Sequence, residues 1–250
     1  MAQPRDTGPI VCGHTVSLYS KILDEERTLL VHLPQDGGDP GKRHPLLIQL
    51  DGDREPFLHT CAAVWRLAHM DGSIPDHIVV GLVNTDRSRD MSAEREADRF
   101  LRFIGDELVP FVEATYGAEG FRLLCGQSAS SLFACYSLLV RPDLFDGYIL
   151  NSFGFSDKGL QLYTEQLLDR SRLDVERDRY VFITNADPDP YDPGGARTQN
   201  GRRLLERMEQ IASDKVHMGY RTYAGEGHAP YPGEHDGLRW IYATKRRMDV

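Results

Sequence analysis

Long apolar runs are missing from this chain, and so are internal repeats, metal-type cysteine spacings and any surplus of basic charge. No stretch approaches the roughly 18 apolar residues of a membrane span, so no membrane partner is expected. The opening Met1-Ala2-Gln3-Pro4-Arg5-Asp6-Thr7-Gly8-Pro9 holds no apolar core, so no secretory signal is expected. A chain whose leader had been removed would read the same way. The four cysteines, Cys12, Cys61, Cys125 and Cys135, stand far apart, with no metal-ligand spacing among them. Cys125 and Cys135 fall in apolar surroundings and are expected as buried free thiols, which fits a cytoplasmic protein. Lys and Arg number 29 against 38 Asp and Glu, a formal net charge of −9. Phosphate binding needs a basic face, so nucleic acid is not an expected partner, and the acidity reads as solubility.

What is present suits a globular protein with a large core: 250 residues, 40% hydrophobic and 27% charged. Thr15–Lys21 and Arg27–Leu33 read as a hairpin around Asp24-Glu25-Glu26, followed by a Gly/Pro/Asp-rich loop over Gln35–His44. Leu46–Leu50 and Ile78–Val83 read as buried strands, and Gly147–Leu150, Tyr180–Thr184 and Val216–Tyr223 as further strands. Helices are expected over Pro56–Met70, Glu94–Tyr116, Leu160–Arg170, Gln199–Ser213 and His235–Arg247. In the second of these, Phe100, Leu101, Phe103, Ile104, Leu108, Phe111 and Val112 recur at helical spacing. Strands alternating with helices predict a mostly parallel sheet covered on both faces, in one domain over residues 1–250.

The most specific local signal is Leu123-Leu124-Cys125-Gly126-Gln127-Ser128-Ala129-Ser130-Ser131, followed by the amphipathic Leu132–Val140. It reads as strand, sharp turn and helix, with Ser128 at the apex. A serine so placed is held in a strained backbone conformation beside free N–H groups at a helix start. Ser130 stands where the G-x-S-x-G pattern has its second Gly. The competing role for Ser128 is a plain helix N-cap.

In family order, the chain also carries Ser20–Pro34, Leu50-Asp51-Gly52-Asp53, Val80–Asp90, Arg99–Pro110, Arg141–Asp146, Gly225-Glu226-Gly227-His228 and Gly237–Tyr242. Together these resemble the putative esterase family of α/β-hydrolases, which includes siderophore (enterochelin) esterases, feruloyl esterases and mycolyl transferases. The siderophore-esterase-like branch is the nearest in pattern. The resemblance implies an α/β-hydrolase fold: a mostly parallel central sheet, an N-terminal antiparallel hairpin and helices on both faces. Three departures stand out. Ser130-Ser131 replaces the family's Gly-Gly, Asn151-Ser152-Phe153-Gly154-Phe155 replaces Ser-Pro-Ser-x-Trp-Trp, and the loop after Arg89-Asp90 is short and charged.

A serine hydrolase of this kind needs a nucleophile, a base and an orienting acid, in the chain order Ser, Asp or Glu, His. Ser128 is the expected nucleophile and His228, in a Gly-flanked loop, the expected base. Asp189 matches the family's acid position best; Asp187, Asp192 and Glu226 are the other candidates, and a Ser–His dyad is the remaining option. The resemblance points to the N–H groups of Ala129 and Asp53 as the oxyanion hole. Arg87 is the candidate substrate-binding residue, set against a salt bridge to Asp86, Asp90 or Glu94. Phe153, Phe155 and Trp65 are expected in the core rather than in a pocket. A metal at Asp187, Asp189 and Asp192 is not expected, because that run lacks the Gly and distal Glu of a calcium loop. No cofactor is expected. Ser152–Arg179 is too short for a large lid, so the site is expected to be open or completed by a second subunit in a homodimer. The expected reaction is hydrolysis of a small-molecule carboxylic ester through an acyl-enzyme. A thioesterase, an acyltransferase and a non-catalytic binding protein of the same fold are the alternatives.

Overall fold

The computed structural model describes residues 11–34, 42–168, 173 and 175–249. The first nine residues, most of the Gln35–His44 loop and the end of the Leu160–Arg170 helix lie outside that set.

Eight strands form one sheet in the order β1-β2-β4-β3-β5-β6-β7-β8. They are β1 His14–Ser20, β2 Glu25–His32, β3 His44–Gln49, β4 Ile78–Leu82, β5 Ala118–Gln127, β6 Gly147–Asn151, β7 Arg179–Asp187 and β8 Val216–Ala224. The first two are antiparallel to each other, β2 is antiparallel to β4, and every later pairing is parallel. The hairpin turns a little earlier than expected, with Glu25 already paired to Ser20.

Alternation along the strands divides the core in two. Leu46, Ile48 and Leu50 of the β3 region join Leu124, Tyr148 and Leu150 on one face, under α3 Ala97–Phe103, α4 Val109–Tyr116 and α5 Ala129–Val140. Leu47, Val79, Leu123, Cys125 and Ile149 point the other way, against α1 Arg54–Trp65 and the closing helix Pro232–Met248. The expected Glu94–Tyr116 helix is continuous from Ala97, with a wider turn over Ile104–Leu108 just before Pro110, which has no N–H to give that turn. A short helix, α2 Arg87–Asp90, was not expected; Asp86 starts it by accepting from the Arg89 N–H. Cys125 and Cys135 are buried free thiols as expected, and Phe153 and Phe155 are core residues. Trp65 is not: it is 41% exposed, because it falls on the outer side of α1. No helix among the described residues is long and apolar enough to cross a membrane.

Candidate active site

Parallel strands β3 to β8 all end at the same edge of the sheet, and the expected site residues lie in the segments that follow β3, β4, β5, β7 and β8. Ser128 directly follows β5. Its φ of 56° and ψ of −120° put a non-glycine residue in a region L-residues rarely adopt, and its side chain makes no capping bond to α5. The plain N-cap role therefore does not describe it. The turn is tight enough that a Cβ on Gly126 would come 2.5 Å from the Ser130 carbonyl oxygen, which is why glycine stands there.

Ser130, the departure from the motif, is accommodated by its hydroxyl. Its Oγ accepts from the Gln127 N–H at 2.7 Å and donates to Asp51 Oδ2 at 2.7 Å. Asp51 itself has φ of 52° and is 6% exposed. It also accepts from Asn84 Nδ2 at 2.8 Å and, through both oxygens, from Arg87. Ser130 follows Ala129 and Asp51 precedes Asp53 by two positions, so this contact joins the two segments that carry the expected oxyanion donors. Ala129 opens α5, where a helical N–H has no partner within the helix, and Asp53 is the N-cap of α1. Gly52, between Asp51 and Asp53, packs directly on the backbone of Gly81 and Leu82.

His228 lies in the loop between β8 and the last helix. Its Nδ1 is 2.8 Å from Asp189 Oδ2 and 3.0 Å from Oδ1, and Asp189 is 5% exposed. A carboxylate facing Nδ1 means that Nδ1 carries the proton, which leaves the lone pair on Nε2. The Tyr191 N–H donates to Asp189 Oδ1 at 2.8 Å, and the Tyr191 ring meets the imidazole edge-on with centroids 4.9 Å apart. The other acid candidates are engaged elsewhere. Asp192 accepts from the N–H groups of Arg197 and Thr198 at the start of the helix Ala196–Ile211, while Glu226 accepts from the Tyr231 N–H at 3.3 Å. Burial disfavours the charged form of Asp192, yet those two N–H groups outweigh it and hold its carboxyl below the usual range. Asp187 is exposed.

The altered stretch after β6 supports the histidine loop. Ser152 Oγ accepts from the Ala229 N–H at 2.6 Å, and Asn151 Nδ2 donates to the Pro230 carbonyl at 3.2 Å.

Ser128 and His228 line one cavity of about 460 Å³, together with Arg87, Tyr191, His59 and Glu234. Arg87 bonds Asp51 rather than Asp86, Asp90 or Glu94, and its Nη1 has no partner among the described residues. Three lining residues were not foreseen. Tyr191 stands between two of the acid candidates, Asp189 and Asp192, and His59 in a segment with no motif. Glu234 is buried under the cavity, bonded by the Thr60 hydroxyl, and burial pushes its carboxyl up to about 7. No local pattern marks them, because they meet only through the fold. A neighbouring cavity of about 530 Å³ is lined by Ala129, Arg87, Arg95, Lys158, Arg197 and the aromatic pair Phe155 and Tyr163.

A family model described as putative esterase matches residues 20–241. Two Bacillus subtilis (strain 168) proteins are similar in sequence. The uncharacterized protein YjcH is 28% identical over 234 residues, which cover 90% of this chain and 89% of YjcH. The ferri-bacillibactin esterase BesA is 26% identical over 144 residues, 53% of this chain and 46% of BesA. Among solved structures, an IroE-like serine hydrolase from Shewanella oneidensis superposes with a TM-score of 0.79 at 24% identity. That match covers 92% of this chain and 80% of the other and is a likeness of fold.

Proposed function

From the premise that the chain belongs to the putative esterase family, and so to the enzymes that act on esters, we propose a serine carboxylic-ester hydrolase that works through an acyl-enzyme on Ser128. In support, Ser128, Asp189 and His228 follow β5, β7 and β8 at one edge of the sheet, the chain order of nucleophile, acid and base in an α/β-hydrolase fold. Ser128 Oγ attacks the ester carbonyl while His228 Nε2 takes its proton. Asp189 holds the imidazole in the required tautomer and stabilises the imidazolium that forms. The N–H groups of Ala129 and Asp53 receive the oxyanion. His228 returns its proton to the leaving alcohol, then activates the water that releases the acid. The observation that carries this reading is the pairing of His228 Nδ1 with buried Asp189, on a cavity shared with a strained Ser128.

The substrate proposed is an ester of an anionic aryl acid, of the siderophore class. The relative BesA is named a ferri-bacillibactin esterase. Arg87, Arg95 and Arg197, with half-buried Leu132 and Leu162 beside Ala129, suit an anionic aromatic group, while Lys158 on the same wall is paired with Glu94 at 2.7 Å. Arg87 lines both cavities, and its Nη1 is the nitrogen assigned to the substrate.

Hydrolysis of p-nitrophenyl acetate and labelling by a fluorophosphonate test the chemistry, with wild type measured beside Ser128→Ala. Wild type is expected to turn over and label, and the variant to do neither. If wild type does neither, a binding protein of this fold is the correct reading. A panel of neutral, aryl and siderophore esters tests the substrate: preference for neutral alkyl esters would overturn the anionic class.

A further inference from the structure

Cys12, His32 and Cys61 are scattered along the sequence and meet in the fold. Each offers one ligand atom, and the three atoms lie within 4.8 Å of one another. Strand register produces half of this meeting. His14 pairs with Val31 across the β1–β2 hairpin, which brings the residues just beyond that pair, Cys12 and His32, alongside each other. Gly13 permits the close passage, since a Cβ there would come 2.5 Å from the Val31 carbonyl oxygen. Cys61 reaches the same point from α1, on the face that packs against the sheet.

The local chemistry is that of a nitrogen and sulfur donor set. His32 Nδ1 is 2.6 Å from the Cys12 carbonyl oxygen. A carbonyl can only accept, so Nδ1 carries the proton and Nε2 the lone pair, the arrangement that orients metal-bound histidines. Cys61 is buried, Cys12 and His32 are half-buried, and no disulfide joins the two sulfurs. The cavity above them, about 700 Å³, is walled by Leu33, Leu58 and Trp65, and no carboxylate is among its described lining residues. Hard cations such as Mg²⁺ and Ca²⁺ require oxygen ligands, whereas two thiolates and an imidazole suit Zn²⁺.

We propose that Cys12, His32 and Cys61 bind Zn²⁺, with a fourth position open to water. Binding forms two Zn–S bonds and one Zn–N bond and releases the two thiol protons to solvent. The ion ties the N-terminal hairpin to α1, the helix that starts at the Asp53 oxyanion segment and supplies Glu55, Pro56 and His59 to the catalytic cavity. The role is structural and stands apart from the ester chemistry.

Reduced, metal-free full-length protein is titrated with Zn²⁺ against a chromophoric chelator, and with Co²⁺ as a spectroscopic substitute. Wild type and Ser128→Ala are expected to bind one equivalent, to show thiolate-to-cobalt charge-transfer absorption and to gain Tm with Zn²⁺. Cys12→Ser and Cys61→Ser are expected to lose the charge-transfer intensity of one thiolate and about 100-fold or more in affinity. If Cys61→Ser does not fold, the half-buried Cys12→Ser carries the comparison. Absence of binding in wild type, or binding undiminished in Cys12→Ser, overturns the proposal. Formation of a Cys12–Cys61 disulfide in the presence of saturating Zn²⁺ would overturn it as well.

Discussion

Both carboxylate oxygens of Asp51 are held by one guanidinium: Arg87 Nε donates to Oδ1 and Nη2 to Oδ2, each at 2.6 Å. Ser130 Oγ donates to the same Oδ2. One carboxylate therefore couples the loop after β3, the loop after β4 and the start of α5. These are the segments around the Asp53 and Ala129 N–H groups proposed above as the oxyanion donors.

Arg87→Ala is expected to reduce kcat for p-nitrophenyl acetate about tenfold with little change in KM, because a neutral substrate reads alignment and not charge pairing. The stability loss is about 1 to 3 kcal/mol: the Arg87 side chain is 41% exposed, but that of Asp51 is only 9% exposed and keeps just Asn84 and Ser130 as partners among the described residues. Arg87→Lys should not restore kcat, since an ammonium cannot bridge both oxygens. An unchanged kcat on the neutral ester, with KM raised only for anionic esters, would confine Arg87 to substrate binding.

Among the acidic residues after β7, Asp189→Asn is expected to lower kcat by about 10³ to 10⁴, because an amide no longer fixes the imidazole tautomer. Asp187→Asn should be near wild type. Asp192→Ala should lose about 1 kcal/mol of stability by uncapping the helix Ala196–Ile211, with kcat little changed. Steady-state kinetics and thermal melts on the three variants separate these outcomes. A greater kcat loss at Asp187 than at Asp189 would reassign the acid.

Glu234 gives the fold a pH dependence with a defined sign. Its carboxyl ionises near 4.5 in the unfolded chain and at about 7 in the folded one, where burial is the main cause. Between those values the native state keeps a proton that the unfolded chain has released. Stability therefore falls as pH rises through that window, by about 3 kcal/mol once both states are ionised. Glu234→Gln should remove this slope: its Tm falls less than that of wild type between pH 5 and pH 8. Parallel Tm curves for the two proteins would refute the assignment.

Gly52 is a second test of the oxyanion geometry. An added Cβ would collide with Gly81 Cα and the Leu82 backbone nitrogen, neither of which can swing away. Gly52→Ala should cost about 10² or more in kcat by displacing the Asp53 N–H. Gly194→Ala, where a Cβ meets nothing within 4 Å, should be near wild type in activity. Retention of wild-type kcat in Gly52→Ala, with the protein folded, would remove Asp53 from the hole.

Much of this molecule is written in short-range patterns. Apolar runs such as Leu46–Leu50 and Ile78–Val83 marked the central strands because a sheet covered on both faces leaves no polar side. The 3.6-residue spacing from Phe100 to Val112 marked a helix over one face. Gly126 to Ala129 marked the sharp turn at Ser128, since the glycine leaves room for a strained passage from strand to helix. Trp65 was misjudged because hydrophobicity does not say which side of α1 faces the sheet. The accommodation of Ser130 was likewise hidden, since its partner Asp51 lies 79 residues away.

The sequence by itself determined the order of the elements, the hairpin and the positions of Ser128, Asp189 and His228 after their strands. Those features depend on local spacing and on chain order. Only the tertiary structure decided that Asp189, rather than Asp192, faces His228, and that Arg87 grips Asp51. It also decided that Glu234 is buried beneath the catalytic cavity, and that Cys12, His32 and Cys61 converge. The reason is physical. Each of these contacts joins side chains from separate elements, and sheet register and helix packing, not sequence distance, set which atoms meet.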